Sequence, residues 1–121
     1  MADEIQLSLK LAVRKSSLIH SESPGTITAT LTGNNATGGV QTITTTAAVL
    51  AMSSVTTAGY GYFRNIDGTN FVELGTGAGT NFVSFAKLKA SEAAIMRLGT
   101  NAPSARAGAA TVGLQYYILQ D

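Results

Sequence analysis

Apolar residues recur at every second position through much of this chain, and that period limits what it can fold into. Ile5, Leu7, Leu9, Leu11 and Val13 alternate with Gln6, Ser8, Lys10, Ala12 and Arg14, the cleanest amphipathic strand in the sequence. Near the other end, Val112, Leu114, Tyr116 and Ile118 share one face of Val112–Gln120, with Tyr117 and Leu119 on the other. Thr26–Thr32 places Ile27, Ala29 and Leu31 together. Val40–Thr46, Tyr60–Ile66, Asn70–Leu74, Asn81–Lys89 and Glu92–Leu98 read as further short strands. Turn signals stand between them at Gly33–Gly39, Asn65–Gly68 and Lys89–Glu92. Ala47–Ser53 fits either a strand or one helical turn. Arg14–Pro24, which holds the only His, reads as a polar loop or extended arm, and Thr100–Ala109 as small and irregular. No segment reads as a helix.

Short strands at regular spacing predict an all-β protein, an antiparallel β-sandwich or jelly-roll-like single domain with an extended N-terminal strand or arm. In this reading residues 1–24 form the strand and arm, part of the same fold or exchanged with a neighbour. Residues 25–121 form the sandwich.

The pentapeptide Gly-Thr-Asn-Phe-Val occurs twice, at Gly68–Val72 and Gly79–Val83. In each copy Gly-Thr-Asn supplies a turn or bulge and Phe-Val begins a strand, so the pair reads as one hairpin. Antiparallel pairing could set Phe71 and Phe82 near the same layer. The spacer Gly75-Thr76-Gly77-Ala78-Gly79-Thr80 invites comparison with phosphate-cradling loops. Those need a following helix, whose N-terminal amides face the phosphate, and commonly a Lys. Here another strand follows and the loop holds no Lys, so a flexible hairpin tip is expected.

At 121 residues the chain makes one domain and can bury roughly 65–70% of its unfolded surface. The absence of Cys removes disulfides and thiolate metal sites. No apolar run is long enough to span a membrane, and Met1-Ala-Asp-Glu4 lacks the basic start of a secretory leader, which predicts a soluble, cytoplasmically made protein. Only 12% of residues are charged, against about 25% in ordinary soluble domains. Two readings fit this: a stable β domain with a neutral polar skin, or a surface largely covered by neighbouring subunits. A net charge of +1 argues against a general nucleic-acid binder.

No catalytic, cofactor-binding or metal-binding residues emerge. His20 sits among serines with no nucleophile-elbow pattern, and one His without Cys cannot make a transition-metal site alone. Asp67, Glu73 and Glu92 are isolated and read as solvated turn and strand residues. Lys87, Lys89, Arg97 and Arg106 form a loose basic grouping. It is either ordinary surface charge paired with Glu73 and Glu92, or a docking face for an acidic partner. The aromatics read as core and sheet residues.

The block Gly59-Tyr-Gly-Tyr-Phe-Arg-Asn-Ile-Asp-Gly-Thr-Asn-Phe-Val-Glu-Leu-Gly75 resembles a phrase of small structural proteins of tailed bacteriophages. Phe85-Ala-Lys-Leu-Lys-Ala-Ser-Glu92, Arg97-Leu98 and the C-terminal Ala110–Asp121 extend the likeness. It covers the second half of the chain, and the first half only in length and strand character. The glycine-rich tip at Gly75–Thr80 is shorter than the larger, more varied loop expected there.

The resemblance implies a non-enzymatic virion component without cofactors, most specifically a capsid cement or decoration protein. Its implied partners are itself, as a homo-oligomer, and other virion proteins, above all the major capsid protein, with neither nucleic acid nor membrane. It would be made in the host cytoplasm and reside in the virion. Ile5, Leu7, Leu9, Leu11 and Val13 are the candidate self-assembly strand, able to leave its own domain through the polar joint Arg14–Pro24. Lys87, Lys89, Arg97 and Arg106 are candidate docking residues, and Gly75, Thr76, Gly77, Ala78, Gly79 and Thr80 a candidate contact loop. The alternatives are a tail, neck or fibre component, or a carbohydrate- or receptor-binding module using Tyr60, Tyr62 and that loop.

Overall fold

In the computed structural model, which describes residues 4–99 and 101–121, every regular element apart from one short 3₁₀ turn is a strand. Two compact units result, Met1–Thr32 and Gly33–Asp121. In the first, β1 (Ile5–Lys15) pairs antiparallel with β2 (Leu18–Ala29). The two-residue turn between them uses Ser16 at φ 55, a left-handed conformation that matches the twist of the flanking strands. The loop or arm expected over Arg14–Pro24 is therefore the end of one strand and the start of the next. A bulge hides that strand from a period-two reading: Leu9 faces Gly25, but Leu11 faces Glu22, so β2 carries one extra residue around Ser23–Pro24. With β2 in place, β1 is held by its own hairpin, and Arg14–Pro24 is no joint.

The second unit contains β3 (Ala36–Ile43), β4 (Ala48–Val49), β5 (Ala58–Asn65), β6 (Val72–Thr76), β7 (Val83–Leu88), β8 (Ala93–Arg97), β9 (Ser104–Ala107) and β10 (Val112–Gln120). Their pairings nest. β6 pairs with β7, β5 with β8, β4 with β9 and β3 with β10, all antiparallel. The sheets run β3-β10-β5-β8 and β4-β9-β6-β7. This is the topology of a jelly roll, a long ribbon folded over into two four-stranded sheets. The all-β antiparallel sandwich expected from periodicity is the fold.

Burial follows the alternation in these strands. Phe63 and Asn65 of β5 and Val112, Leu114, Tyr116 and Ile118 of β10 face inward from the first sheet. Val72 and Leu74 of β6, Leu88 of β7, and Ala105 and Ala107 of β9 face them from the second. Each large aliphatic or aromatic side chain so buried contributes about 1.5–3 kcal/mol.

Two local expectations are corrected and a third, left open between strand and helical turn, is resolved. The turn cluster Gly33–Gly39 ends early, since β3 begins at Ala36. Gly38 serves close approach, since a Cβ there would lie 2.2 Å from the Tyr117 ring, whereas Gly39 supplies a positive φ of 136°. Of Thr100–Ala109, Thr100 lies outside the described residues, and Ser104–Ala107 is a buried strand rather than irregular chain. Its small side chains carry too weak an apolar signal to announce it. Ala47–Ser53 resolves as the two-residue strand β4 followed by a turn.

Candidate functional site

The hairpin carries five of the exposed large apolar side chains among the described residues; the others, Val40, Val49, Ile66, Val83, Phe85 and Tyr117, are spread over the second unit. Leu11 is 64% exposed, Ile19 68% and Leu18 58%, with Leu9 and Val13 just past one-third. Ile5 is buried and Leu7 half-buried. Cross-strand neighbours share a face, so Ile5 sits beside Ala29 and Leu7 beside Ile27. Beyond the bulge, Leu11 and Val13 stand beside Glu22 and His20, whose own side chains approach to 3.8 Å. At the open end the Glu4 carboxylate accepts the Leu31 N–H at 3.1 Å, and that bond holds its pKa below the ordinary value. An isolated two-stranded hairpin is marginal in water. Apolar groups left uncovered on one are a surface in search of a partner.

The candidate cations are spread over both sheets. Arg106 on β9, Glu73 on β6 and Lys87 on β7 stand in one cross-strand row. Arg106 Nη2 lies 2.9 Å from Glu73 Oε1, and that hydrogen bond is the main reason the Glu73 carboxyl titrates below its ordinary value. The Arg106 guanidinium covers the Phe82 ring at 4.7 Å and Lys87 Nζ the Phe71 ring at 4.1 Å. Such contacts are worth about 0.5–1 kcal/mol at exposed sites. Arg97 belongs to the other sheet, where it meets Asp121 at 3.4 Å and the Tyr60 ring at 4.5 Å. Lys89 follows β7, and its backbone N–H donates to Glu92 Oε1 at 2.7 Å. Charge pairing within the fold accounts for Arg97 and Arg106.

Both pentapeptides do what their residues predict: Gly68-Thr69-Asn70 precedes β6 and Gly79-Thr80-Asn81 precedes β7. Phe71 and Phe82 nevertheless sit at opposite ends of the β6–β7 hairpin, because the second copy follows the tip rather than mirroring the first. Val72 pairs with Leu88 and Thr76 with Val83. The Gly75–Thr80 tip is tied down: Gly79 N–H donates to Ala47 O at 3.0 Å, and Asn81 N–H to Ala78 O. Gly75 itself is buried at a bulge, where a Cβ would lie 2.1 Å from Val83 O. Gly75 and Thr76 also border a cleft of about 430 Å³ with Phe85, Met96, Arg97 and Leu98. It opens between the edge strands β7 and β8.

Asn65, a turn residue by sequence, is a buried hub. Its Nδ2 donates to Asn70 O at 2.8 Å and Leu88 O at 3.1 Å, and its Oδ1 accepts Asp67 N–H at 2.9 Å. One side chain thus fastens the β5–β6 connection to the second sheet. Asp67 completes the turn, accepting N–H groups of Asn70 and Thr69; those bonds lower its pKa. Glu73, Asp67 and Glu92 are therefore structural acceptors rather than merely solvated groups. On the outer face of the first sheet, the Tyr62 and Tyr117 rings lie 6.1 Å apart, a pairing that register alone creates. Inside, Tyr116 Oη lies 2.8 Å from Ala51 O, and burial raises its pKa.

Among the described residues no three His, Asp or Glu side chains group to hold a metal ion, and no helix is long and apolar enough to cross a membrane. The candidate site is a set of surfaces, chief among them the exposed apolar residues of the β1–β2 hairpin. Comparison with known protein families, with curated proteins and with solved structures finds no match.

Proposed function

We propose that this chain is a non-enzymatic structural protein of a tailed-phage virion, a cement or decoration protein that reinforces the head by bridging capsid subunits. One observation carries the reading. Among the described residues the β1–β2 hairpin gives none to the main hydrophobic cluster, and it leaves Leu9, Leu11, Val13, Leu18 and Ile19 exposed. Apolar groups presented this way gain their free energy by burial against another protein, which requires no chemistry. The jelly roll supports the reading by analogy, since that fold recurs in viral capsid proteins, although fold alone does not fix function. The phrase Gly59–Gly75 and the low charge point the same way. Incubating purified protein with heads stripped of their accessory proteins should raise the temperature at which the shells break. Shells that neither bind the protein nor gain heat resistance would sink the proposal.

A second reading, carbohydrate binding, is favoured by the half-exposed Tyr62 beside Tyr117, since paired rings can stack on a sugar. A glycan array decides it: a hit lost in Tyr62→Ala and Tyr117→Ala would move the function from shell to receptor.

A further inference from the structure

β1 and β2 form a sheet of two strands, so each presents an outer edge. The two edges differ. β2 is interrupted by its bulge and by Pro24, which has no N–H to donate, so its edge cannot carry a continuous ladder. β1 runs eleven residues with no proline or glycine and with unbroken alternation through Val13. Proteins usually shorten, bend or cover an edge of that kind, because it is a template for another strand.

We propose that β1 is the self-association strand: two copies pair β1 to β1, antiparallel, across a two-fold axis at Leu9. The two hairpins then become one four-stranded sheet. The inference names a second copy as the first partner in the structural reading above, and it holds whether or not the assembly is a virion.

Charge along the strand selects this register. A two-fold axis makes identical strands antiparallel and self-complementary. With the axis at Leu9, Leu7 stands opposite Leu11 and Ile5 opposite Val13, so each of the five large apolar residues of β1 meets an apolar partner. On the other face Lys10 meets Ser8, and Arg14 meets Glu4, a pair of opposite charge. Moving the axis to Lys10 sets that ammonium against its own copy and Ile5 against Lys15, and like charges directly opposed are destabilising. Moving it to Ser8 leaves Val13 beyond the end of the partner's β1. Pairing also supplies the third and fourth strands that an exposed hairpin lacks.

The chain has no cysteine, so single cysteines report the register directly. In the full chain, Leu9→Cys should form a disulfide dimer under mild oxidation. Directly opposed residues of antiparallel strands hold their Cα atoms about 4.5–5.5 Å apart, within a disulfide's reach. A mixture of Leu7→Cys and Leu11→Cys should give the mixed dimer. Val13→Cys alone should stay monomeric on a denaturing gel, because the two sulfurs would stand about 26 Å apart along the strand. In sedimentation the unaltered chain should show a concentration-dependent dimer that Leu9→Asp abolishes, with the near-ultraviolet tyrosine signal of the jelly roll retained. A monomeric chain in which neither Leu9→Cys nor the Leu7→Cys and Leu11→Cys mixture cross-links overturns the proposal, as does Val13→Cys linking as fast as Leu9→Cys. A dimer that ignores shells would count against the cement reading alone, and a monomer that stabilises shells against the pairing alone.

Discussion

The β1–β2 hairpin and the β3–β10 jelly roll are made of the same kind of strand and end in opposite environments. Leu11, central in the most regular alternation of the chain, is 64% exposed; Leu114, in an equivalent pattern, is fully buried. Every member of the main hydrophobic core lies between Ile43 and Ile118. Alternation decides which side chains share a face, and a second layer decides whether that face is buried. β10 has the sheet of β6 and β9 across from it, whereas β1 belongs to a sheet of two strands. The hairpin is thus written for a layer that its own sheet does not supply.

The widest break of that contrast comes from truncating one side chain in each region. Phe63→Ala removes a fully buried ring from between the sheets and should cost about 3–5 kcal/mol, by transfer and cavity terms together. Leu11→Ala, measured in chemical denaturation at concentrations where the chain is monomeric, should change stability by less than about 0.5 kcal/mol. Comparable losses at both positions would mean that Leu11 is covered in solution.

Polar burial sharpens the comparison further. Asn65→Ala leaves the carbonyls of Asn70 and Leu88 and the N–H of Asp67 without their side-chain partner. Stranding a buried polar group costs about 1–3 kcal/mol, so a loss of about 3 kcal/mol is expected, second only to Phe63. Ser23 Oγ donates to Leu9 O across the hairpin at 3.3 Å in an exposed setting, where water can replace it. Ser23→Ala should be nearly silent in the same denaturation experiment.

Period and turn chemistry made most of the jelly roll legible. Val112–Gln120 announces β10 and its inward face, and Gly-Thr-Asn announces the starts of both β6 and β7. What stayed hidden has physical causes. Ser104–Ala107 is buried through alanines that add little to an apolar pattern. β2 breaks its own period at the bulge, so Leu18–His20 looked like loop. Asn65 is the commonest of turn residues, and only the approach of Leu88 from the other sheet makes it a hub. Among the candidate sites, the alternation of Ile5–Val13 located the exposed strand but not its partner β2. Of the candidate cations, Arg97 lies on the first sheet and Arg106 on the second, a separation that closeness in sequence does not foretell.

The smallest expected effect tests the comparison most directly. If the two units are independent in stability, removing residues 1–32 should leave the jelly roll's Tm unchanged within about 2 °C. For a domain of this size 1 kcal/mol corresponds to about 4–8 °C, so such a result bounds the hairpin's contribution at a fraction of that. The expectation follows from the core, which draws none of its residues from the hairpin. Association should respond in the opposite sense, with the truncated chain sedimenting as a monomer where the full chain forms dimers. A truncated chain that melts many degrees lower would show that the hairpin's apolar face is buried on its own jelly roll, and the exposed strand would lose its claim as an interface.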